Sequence, residues 1–245
     1  MVRRATTVSA GTEPVSAEQA ATAGRRYGPF EAVLFDCDGV LVDSRGICRD
    51  TWTQWATRMG VPSKSIVERL QGRPIREAMS ELIPSDRLDG EVEWFEAMEL
   101  RFASAVRAAP GARRVVNGLP GRKWAVVTSA SRVLARARLA AAGLTLPRVL
   151  ISADDVKAGK PSPDCYSLAA SRLGVAIDRC IVFEDSSVGA RAANRAGATV
   201  VGVGATIDAE FHIGPVADLC SIELFAIRRG EVQLRVYEGR RLHDN

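Results

Sequence analysis

Four short apolar runs in this chain each end at a cluster of polar residues, and this pairing constrains the fold more than any other feature. Each run has the length of one buried strand, and an open α/β sheet binds its ligands beyond the carboxyl ends of such strands. The sequence therefore predicts that two carboxylate pairs, a hydroxyl and a lysine meet at one crevice. The runs and their clusters are 32–35 with Asp36-Cys37-Asp38-Gly39, 124–127 with Thr128-Ser129, 149–151 with the nearby Lys157-Ala158-Gly159-Lys160-Pro161, and 180–183 with Glu184-Asp185-Ser186-Ser187.

After residue 110, helix-like segments alternate with the last three of these apolar runs and with a fifth run at 199–203. Regular alternation of strand and helix is typical of a parallel sheet with right-handed crossovers. We therefore expect an α/β fold. The expected elements are strands at 31–36, 124–128, 149–151, 180–183 and 199–203, and helices at 132–142, 163–173 and 187–196.

Residues 46–110 have little strand character and are predicted to form a separate helical insert. Apolar and aromatic residues recur at helical spacing in 51–59 and again in 91–109, and Pro110-Gly111 ends the pattern. The expected division is a core of residues 29–45 and 111–245 with the insert between its two parts. Residues 1–28 are predicted to be a disordered extension, and 227–237 a small hairpin that turns at Arg229-Gly230.

Composition excludes several classes of protein. The net charge is +4 with the arginines spread along the chain, and aromatic residues are only 6%, so we expect no nucleic-acid partner. No apolar stretch approaches the roughly 20 residues that span a bilayer, and the N-terminus lacks the apolar centre of a signal peptide. Five scattered cysteines without a C-x-x-C pair fit a reducing compartment, so we expect a cytoplasmic protein with no membrane association.

Asp36 and Asp38 lie two residues apart in an extended stretch, so both side chains are on one side of the backbone. Such a pair can divide labour, with one carboxylate attacking phosphorus and the other moving a proton. Because like charges repel, a carboxylate needs a divalent cation to approach a phosphate dianion. Glu184 and Asp185 supply further oxygen ligands of the kind magnesium prefers, so Mg2+ is the expected cofactor.

Lys160 brings a positive charge to a transferring phosphoryl group, and Thr128 and the amide of Ser129 can hydrogen-bond its oxygens. Each feature alone has a purely structural explanation. Asp-x-Asp-Gly also occurs in Asx-turns and calcium loops, Thr-Ser before a helix is often an N-cap, and Glu-Asp at a helix start complements the helix dipole. A lone lysine in a loop is usually solvated. Capping does not explain why all four occur in order, each after an apolar run.

Four segments, in this order, also resemble the motifs of a known family. They are Phe-Asp-Cys-Asp-Gly-Val-Leu-Val-Asp-Ser at 35–44, Val-Thr-Ser-Ala at 127–130, Gly-Lys-Pro-Ser-Pro-Asp-Cys-Tyr at 159–166 and Phe-Glu-Asp-Ser-Ser-Val-Gly-Ala-Arg-Ala-Ala-Asn-Arg-Ala-Gly at 183–197. Together they resemble the haloacid dehalogenase superfamily over about residues 30–225.

The resemblance implies a Rossmann-like core, a magnesium cofactor and an aspartyl-phosphate intermediate. The backbone carbonyl of Asp38 is implied to complete the coordination of the metal. The implied roles are nucleophile for Asp36, general acid/base for Asp38, phosphate binding for Thr128 and Lys160, and magnesium binding for Asp185 with Glu184 beside it.

The position of the insert resembles the α-helical cap of the branch that contains sugar phosphatases, phosphoglycolate phosphatase and β-phosphoglucomutase. Gln71-Gly72-Arg73-Pro74 resembles the specificity loop of that cap, where Gly72 and Arg73 would contact the substrate. The structural explanation of the same segment is a plain turn between two helices.

The expected activity is hydrolysis of a small sugar or polyol phosphate, so the partner is a small phosphorylated metabolite. The main competing activity is that of a sugar phosphomutase, which in this family has a histidine twelve residues after the nucleophile and an arginine three after the cap-loop glycine. Those positions are Cys48 and Ile75 here, and Arg76 is one position off. A catalytically degenerate binding protein is a second competing hypothesis. A carbon–halogen hydrolase is a third, and it would not need Glu184 and Asp185. The sequence predicts neither the substrate nor the oligomeric state.

Overall fold

A computed structural model describes most of the chain. The described residues are 24–61, 73–119, 123–204, 211–226, 230–239 and 241–242. Within them, no helix is long and apolar enough to cross a membrane.

The centre of the molecule is a six-stranded parallel sheet, which confirms the predicted α/β fold. Its strands, in spatial order, are β6 (Val149–Ile151), β5 (Trp124–Val127), β2 (Ala32–Asp36), β7 (Cys180–Glu184), β8 (Thr199–Val203) and β9 (Ile213–Val216). All five residues of β2 and of β7 are buried. Continuous apolar runs of this kind form strands that are covered on both faces, because parallel sheets carry helices on each side.

Helices cover both faces of the sheet. One face packs against α4 (Ala112–Asn117) and α5 (Arg132–Ala141), and there Phe35 stacks on Phe183 with ring centroids 5.2 Å apart. The other face packs against α6 (Asp164–Leu173) and α7 (Ser187–Ala196). The three helices predicted in this half of the chain are confirmed to within one residue at each end.

The helical insert has an apolar core of its own. Its described helices are α1 (Arg45–Met59), α2 (Ile75–Ser80) and α3 (Ser85–Phe102). Trp52 and Phe95 meet with ring centroids 4.4 Å apart, and Trp55 Nε1 donates to the buried Glu91 at 3.0 Å. The insert is therefore a packed unit with a buried carboxylate of its own.

One predicted helix of the insert has the wrong end. The helix expected over 91–109 begins at Ser85 and ends at Phe102, and a 3-10 turn follows at Ala103–Ala105. The next residues form β4 (Arg107–Ala108), which pairs with β3 (Val42–Asp43). This pairing holds the two connections to the insert side by side, and it overrides the helical spacing of Val106.

The prediction of disorder through residue 28 is wrong at its end. Residues 1–23 lie outside the described part of the chain, but β1 (Arg25–Phe30) pairs with β11 (Val232–Val236), which also pairs with β10 (Ile222–Ala226). The predicted C-terminal hairpin exists, but its first strand begins at Ile222 and it belongs to this three-stranded sheet. Arg229, one of its predicted turn residues, lies outside the described residues.

Candidate active site

The carboxyl ends of the central strands form the floor of a cleft of about 490 Å³, and the helical insert forms the opposite wall. Phe35 pairs with Phe183 in the sheet, so Asp36 and Glu184 end adjacent strands at the same level. The predicted residues that line the cleft are Asp36, Asp38, Arg73, Thr128, Ser129, Lys160 and Asp185. Gly72 lies outside the described residues.

Lys160 is buried and joins two strand ends. Its Nζ lies 2.5 Å from Asp36 Oδ1 and also donates to Glu184 Oε1. Burial alone would lower the pKa of Lys160, but the two carboxylates hold that pKa well above its usual value. The pKa of Asp36 is raised well above its ordinary value by burial, although Lys160 opposes the shift. The explanation of Lys160 as a solvated loop lysine is thus excluded.

Glu184 is fully buried, and both of its oxygens are engaged. Oε1 accepts from Lys160 and from Tyr166 Oη at 2.8 Å. Oε2 accepts from the amides of Asp185 and Ser186, each at 3.0 Å, and from the Ser186 hydroxyl. A carboxylate with this many donors is oriented by its own neighbours. It places Lys160 beside Asp36.

Asp38 is held through one oxygen. Its Oδ1 accepts from Ser44 Oγ at 2.6 Å and from Arg138 Nη1 at 2.9 Å. Its Oδ2 is approached by Thr128 Oγ1 at the longer distance of 3.4 Å. The carboxylate is therefore fixed in place with Oδ2 only weakly engaged by its described neighbours.

Asp185 is mostly buried and lies against the turn that follows β2. Gly39 in that turn has φ +90°, and a Cβ there would lie 2.0 Å from Asp185 Oδ2, so only glycine fits. Arg45 donates to the same oxygen through Nε at 3.0 Å. Burial, followed by the charge of Glu184, raises the pKa of Asp185 to about 7, and Arg45 opposes that rise.

Thr128 is buried beside the predicted phosphate site. Its Oγ1 accepts from the amide of Ala130 at 3.1 Å. The N-cap of α5 is Ser131, whose hydroxyl accepts from Leu134. The Thr-Ser pair therefore does not cap the helix, which removes the N-cap explanation for Thr128 and Ser129.

The helical insert contacts the core next to Lys160. Gly159 donates its amide to Glu77 Oε1 at 3.0 Å, and a Cβ on Gly159 would lie 2.2 Å from Pro74 Cγ. Arg73 lines the cleft and pairs with Glu81 through both terminal nitrogens, at 3.1 and 2.6 Å. The predicted loop thus meets the lysine loop of the core, and Arg73 is held within the insert.

The predicted metal residues fit a hard divalent cation. One oxygen from each of Asp36, Glu184 and Asp185 lies within 4.8 Å of the other two. A donor set made only of carboxylate oxygens suits Mg2+ and offers no nitrogen or sulfur for softer metals. Both oxygens of Glu184 accept from its neighbours, whereas the contacts given above for Asp36 and Asp185 each fall on one oxygen.

Sequence reasoning missed four charged residues of the cleft, Arg45, Arg49, Glu99 and Arg138. Arg45 follows the first motif directly, and its position at the start of α1 gave a weak signal. Glu99 and Arg138 lie within amphipathic helices, where a charged residue is ordinarily solvated. Nothing local in the sequence marks them.

Comparison with known proteins decides the family. Residues 30–197 match the family model described as haloacid dehalogenase-like hydrolase. The chain belongs to this family. The family predicted from the four motifs, its sugar-phosphatase branch and the prediction of an enzyme are confirmed.

Curated relatives and solved structures agree with this assignment. The chain is 37% identical to hexitol phosphatase A of Escherichia coli K12, and the match covers 71% of this chain and 83% of that protein. It is 39% identical to validoxylamine A 7'-phosphate phosphatase of Streptomyces hygroscopicus subsp. limoneus, over 74% and 89% of the two chains. A hydrolase from Pseudomonas syringae superposes with a TM-score of 0.65 at 28% identity, over 71% of this chain and 84% of that one.

Proposed function

We propose that this hydrolase is a magnesium-dependent phosphatase that cleaves a small sugar or polyol phosphate through an aspartyl-phosphate on Asp36. One observation carries the proposal. Buried Lys160 lies between Asp36 and Glu184 at adjacent strand ends, and Asp38 lies two residues further along the chain in the same cleft. Both curated relatives are phosphatases, which supports the same reaction.

The first step transfers the phosphoryl group to the enzyme. A carboxylate oxygen of Asp36 forms a bond to phosphorus as the bond from phosphorus to the ester oxygen breaks. Asp38 donates its proton to that leaving oxygen, so the alcohol departs neutral. The second step reverses the role of Asp38. It takes a proton from water as the water oxygen attacks phosphorus, which releases inorganic phosphate and regenerates Asp36.

Lys160 and Thr128 are proposed to bind the phosphoryl oxygens. The Lys160 ammonium already lies beside the attacking carboxylate, so it can stabilise negative charge where the transfer occurs. Thr128 and Ser129 line the same cleft. The proposed role of Glu184 is indirect, because it fixes the position of Lys160.

The magnesium ion is proposed to bind Asp36, Asp185 and the backbone carbonyl of Asp38, with Glu184 next to these ligands. Its charge would offset the repulsion between Asp36 and a phosphate dianion. On the protein side, the Gly39 turn brings Asp38 and Asp185 together, and Arg45 partly neutralises Asp185.

The helical insert is proposed to act as a cap that reads the organic half of the substrate. Its contribution to the cleft combines an apolar surface from Trp52, Ile75 and Phe95 with the guanidinium of Arg73. The C–H faces of a sugar or polyol can pack on the apolar surface, and its hydroxyl groups can accept hydrogen bonds from the guanidinium. The proposed division into cap and core keeps the predicted boundaries near residues 45 and 110.

The competing mutase activity lacks the residue it needs. Cys48 stands where the mutases of this family have a histidine, and burial raises the pKa of its thiol well above the usual value. A thiol that stays protonated at neutral pH does not move a sugar proton as a histidine does. We therefore propose hydrolysis.

We also infer a reducing, cytoplasmic location. No disulfide joins any of the five cysteines, which all lie in the described part of the chain, and four of them are buried. Burial raises the pKa of Cys165 to about 11 and that of Cys180 to about 12, so these thiols resist oxidation.

The proposal is tested by measuring phosphate release from a panel of sugar, polyol and aryl phosphates, with magnesium and after its removal by EDTA. We expect turnover of several sugar or polyol phosphates that stops without the metal and returns when magnesium is restored. Release of halide from haloacids without phosphate release, or turnover that persists in EDTA, would contradict it.

A further inference from the structure

A buried ion pair joins the helical insert to the core close to the reacting groups. Glu99 of α3 and Arg138 of α5 are 2% and 3% exposed, and Glu99 Oε2 lies 2.8 Å from Arg138 Nη2. The thiol of Cys48, also in the insert, lies beside Glu99. No step of the proposed mechanism uses Glu99.

The same guanidinium reaches the proposed general acid. Arg138 Nη1 donates to Asp38 Oδ1 at 2.9 Å while Nη2 pairs with Glu99. Arg138 therefore bridges one carboxylate of the insert and one of the core. The order Glu99, Arg138, Asp38 forms a continuous chain from α3 to the cleft.

Stability alone is a poor explanation for this chain. Burying the charges of Glu99 and Arg138 costs desolvation energy, and apolar replacements of buried ion pairs are often as stable or more stable. Arg138 Nε and Nη2 and Glu99 Oε1 are buried without a hydrogen-bond partner among the described residues, so Nη2 is held by Glu99 as a close ion pair and the packing is not optimised for hydrogen bonding. The position of the chain, ending on Asp38, points to the reaction.

The geometry divides the two oxygens of Asp38 between two tasks. Oδ1 is taken by Arg138 and Ser44, whereas Oδ2 has only the 3.4 Å approach of Thr128 among its described neighbours. Oδ2 is thus left for proton transfer. Arg138 can keep this arrangement only while its second nitrogen is held elsewhere, because a guanidinium freed of other partners binds a carboxylate through both oxygens.

We propose that Glu99 is a positioning residue that keeps Arg138 on one oxygen of Asp38 and so leaves the other free to protonate the leaving group. This role rests on the proposed phosphatase function. Since Glu99 belongs to the insert, it makes proton transfer by Asp38 depend on the insert being docked on the core. Loss of its charge should release Arg138 Nη2 towards Asp38 Oδ2.

The test compares two esters in wild type and in Glu99→Gln, which keeps the volume and removes the charge. The measured quantity is kcat/KM, because it reports the phosphoryl-transfer step, for the best alkyl phosphate of the panel and for p-nitrophenyl phosphate. A nitrophenolate needs no proton to leave. We expect kcat/KM to fall about tenfold for the alkyl ester and to change by less than about twofold for the aryl ester.

Glu91→Gln is the matched control. Glu91 is also a buried carboxylate of α3, but it pairs with Trp55 and Arg58 inside the insert and does not line the cleft. We expect this variant to change kcat/KM for the two esters by the same factor, whatever its effect on the melting temperature.

If Glu99→Gln does not fold, Arg138→Lys tests the same point, since an ammonium has no planar fork to bridge the two carboxylates. It should show the same selective loss for the alkyl ester. The positioning role would be overturned if kcat/KM fell equally for the two esters in either folded variant. It would also be overturned if kcat/KM for neither ester fell in the folded variants. A wild type that releases phosphate from neither ester would instead contradict the proposed function.

Discussion

Lys160 Nζ lies 2.5 Å from Asp36 Oδ1 in a buried contact that joins a loop after β6 to the end of β2. The same ammonium also donates to Glu184 at the end of β7. One cation thus neutralises two buried carboxylates, and it lies beside the carboxylate that is the proposed nucleophile. Stability and catalysis are therefore coupled at this residue.

Replacing Lys160 with Met should lower both stability and turnover. Two buried carboxylates would lose their counter-charge, and breaking a buried pair of this kind costs about 3–5 kcal/mol. Turnover should fall by several orders of magnitude because the transferring group loses its fixed positive charge. Lys157→Met, at an exposed position in the same loop, is the control and should change neither quantity. Urea unfolding and phosphate release measure the two effects, and an unchanged unfolding midpoint for Lys160→Met would contradict the structure.

The effect of Asp38→Asn on kcat/KM should depend on the leaving group of the ester. The amide cannot donate a carboxylic proton, so kcat/KM for an alkyl phosphate should fall much more than for p-nitrophenyl phosphate. Magnesium affinity should change little, because the backbone carbonyl is the proposed ligand. Isothermal titration with magnesium and steady-state kinetics test both statements, and equal losses for the two esters would reject the general-acid role.

Gly159→Ala should disturb the contact between the helical insert and the core. The new Cβ would lie 2.2 Å from Pro74 Cγ, so the insert must move away from the lysine loop. We expect kcat/KM for the alkyl substrate to fall by about tenfold, since a displaced cap no longer orients the substrate. Gly90→Ala is the control, because a Cβ there meets nothing within 4 Å. It should stabilise α3 by about 0.5–1 kcal/mol without loss of activity, and wild-type kinetics for Gly159→Ala would show that the docked arrangement is not needed.

Magnesium binding should depend on pH because Asp185 is a proposed ligand with a pKa of about 7 in the metal-free protein. Below that pH the carboxyl is protonated, and the metal must displace the proton. Magnesium affinity should therefore fall as the pH drops through 7, by up to about tenfold per pH unit. Calorimetric titration at several pH values measures this, with Asp185→Asn as the variant that loses the dependence. An affinity that is constant from pH 8 to pH 5.5 would place the metal elsewhere.

The sheet could be predicted because its strands are local signals. Five of the six parallel strands are mostly apolar runs, four of which end at polar clusters, and each strand lies within one or two residues of its predicted position. The sixth, Ile213–Val216, contains glycine and proline and is only half buried, so nothing in its composition marks an edge strand. Likewise Arg25–Phe30 becomes a strand only because it pairs with residues 232–236, about 200 positions along the chain.

The site could be predicted where chemistry and strand ends coincide, as for Asp36, Asp38 and Lys160. Their pattern can be recognised in the sequence because each motif is a short contiguous segment. Glu99 and Arg138 could not be found this way, since their partners lie on other elements and their burial depends on how the insert docks. Charged residues inside helices carry no local mark of being buried.

The central claim is that Asp36 carries the phosphoryl group during turnover. The most direct measurement is mass spectrometry of enzyme quenched in acid while it turns over p-nitrophenyl phosphate with magnesium, with Asp36→Asn as the control. We expect one phosphoryl group on the peptide that contains Asp36, its loss on treatment with hydroxylamine, and neither label nor turnover in the variant. A label on another residue, or Asp36→Asn that retains more than a few per cent of the wild-type rate, would contradict the account.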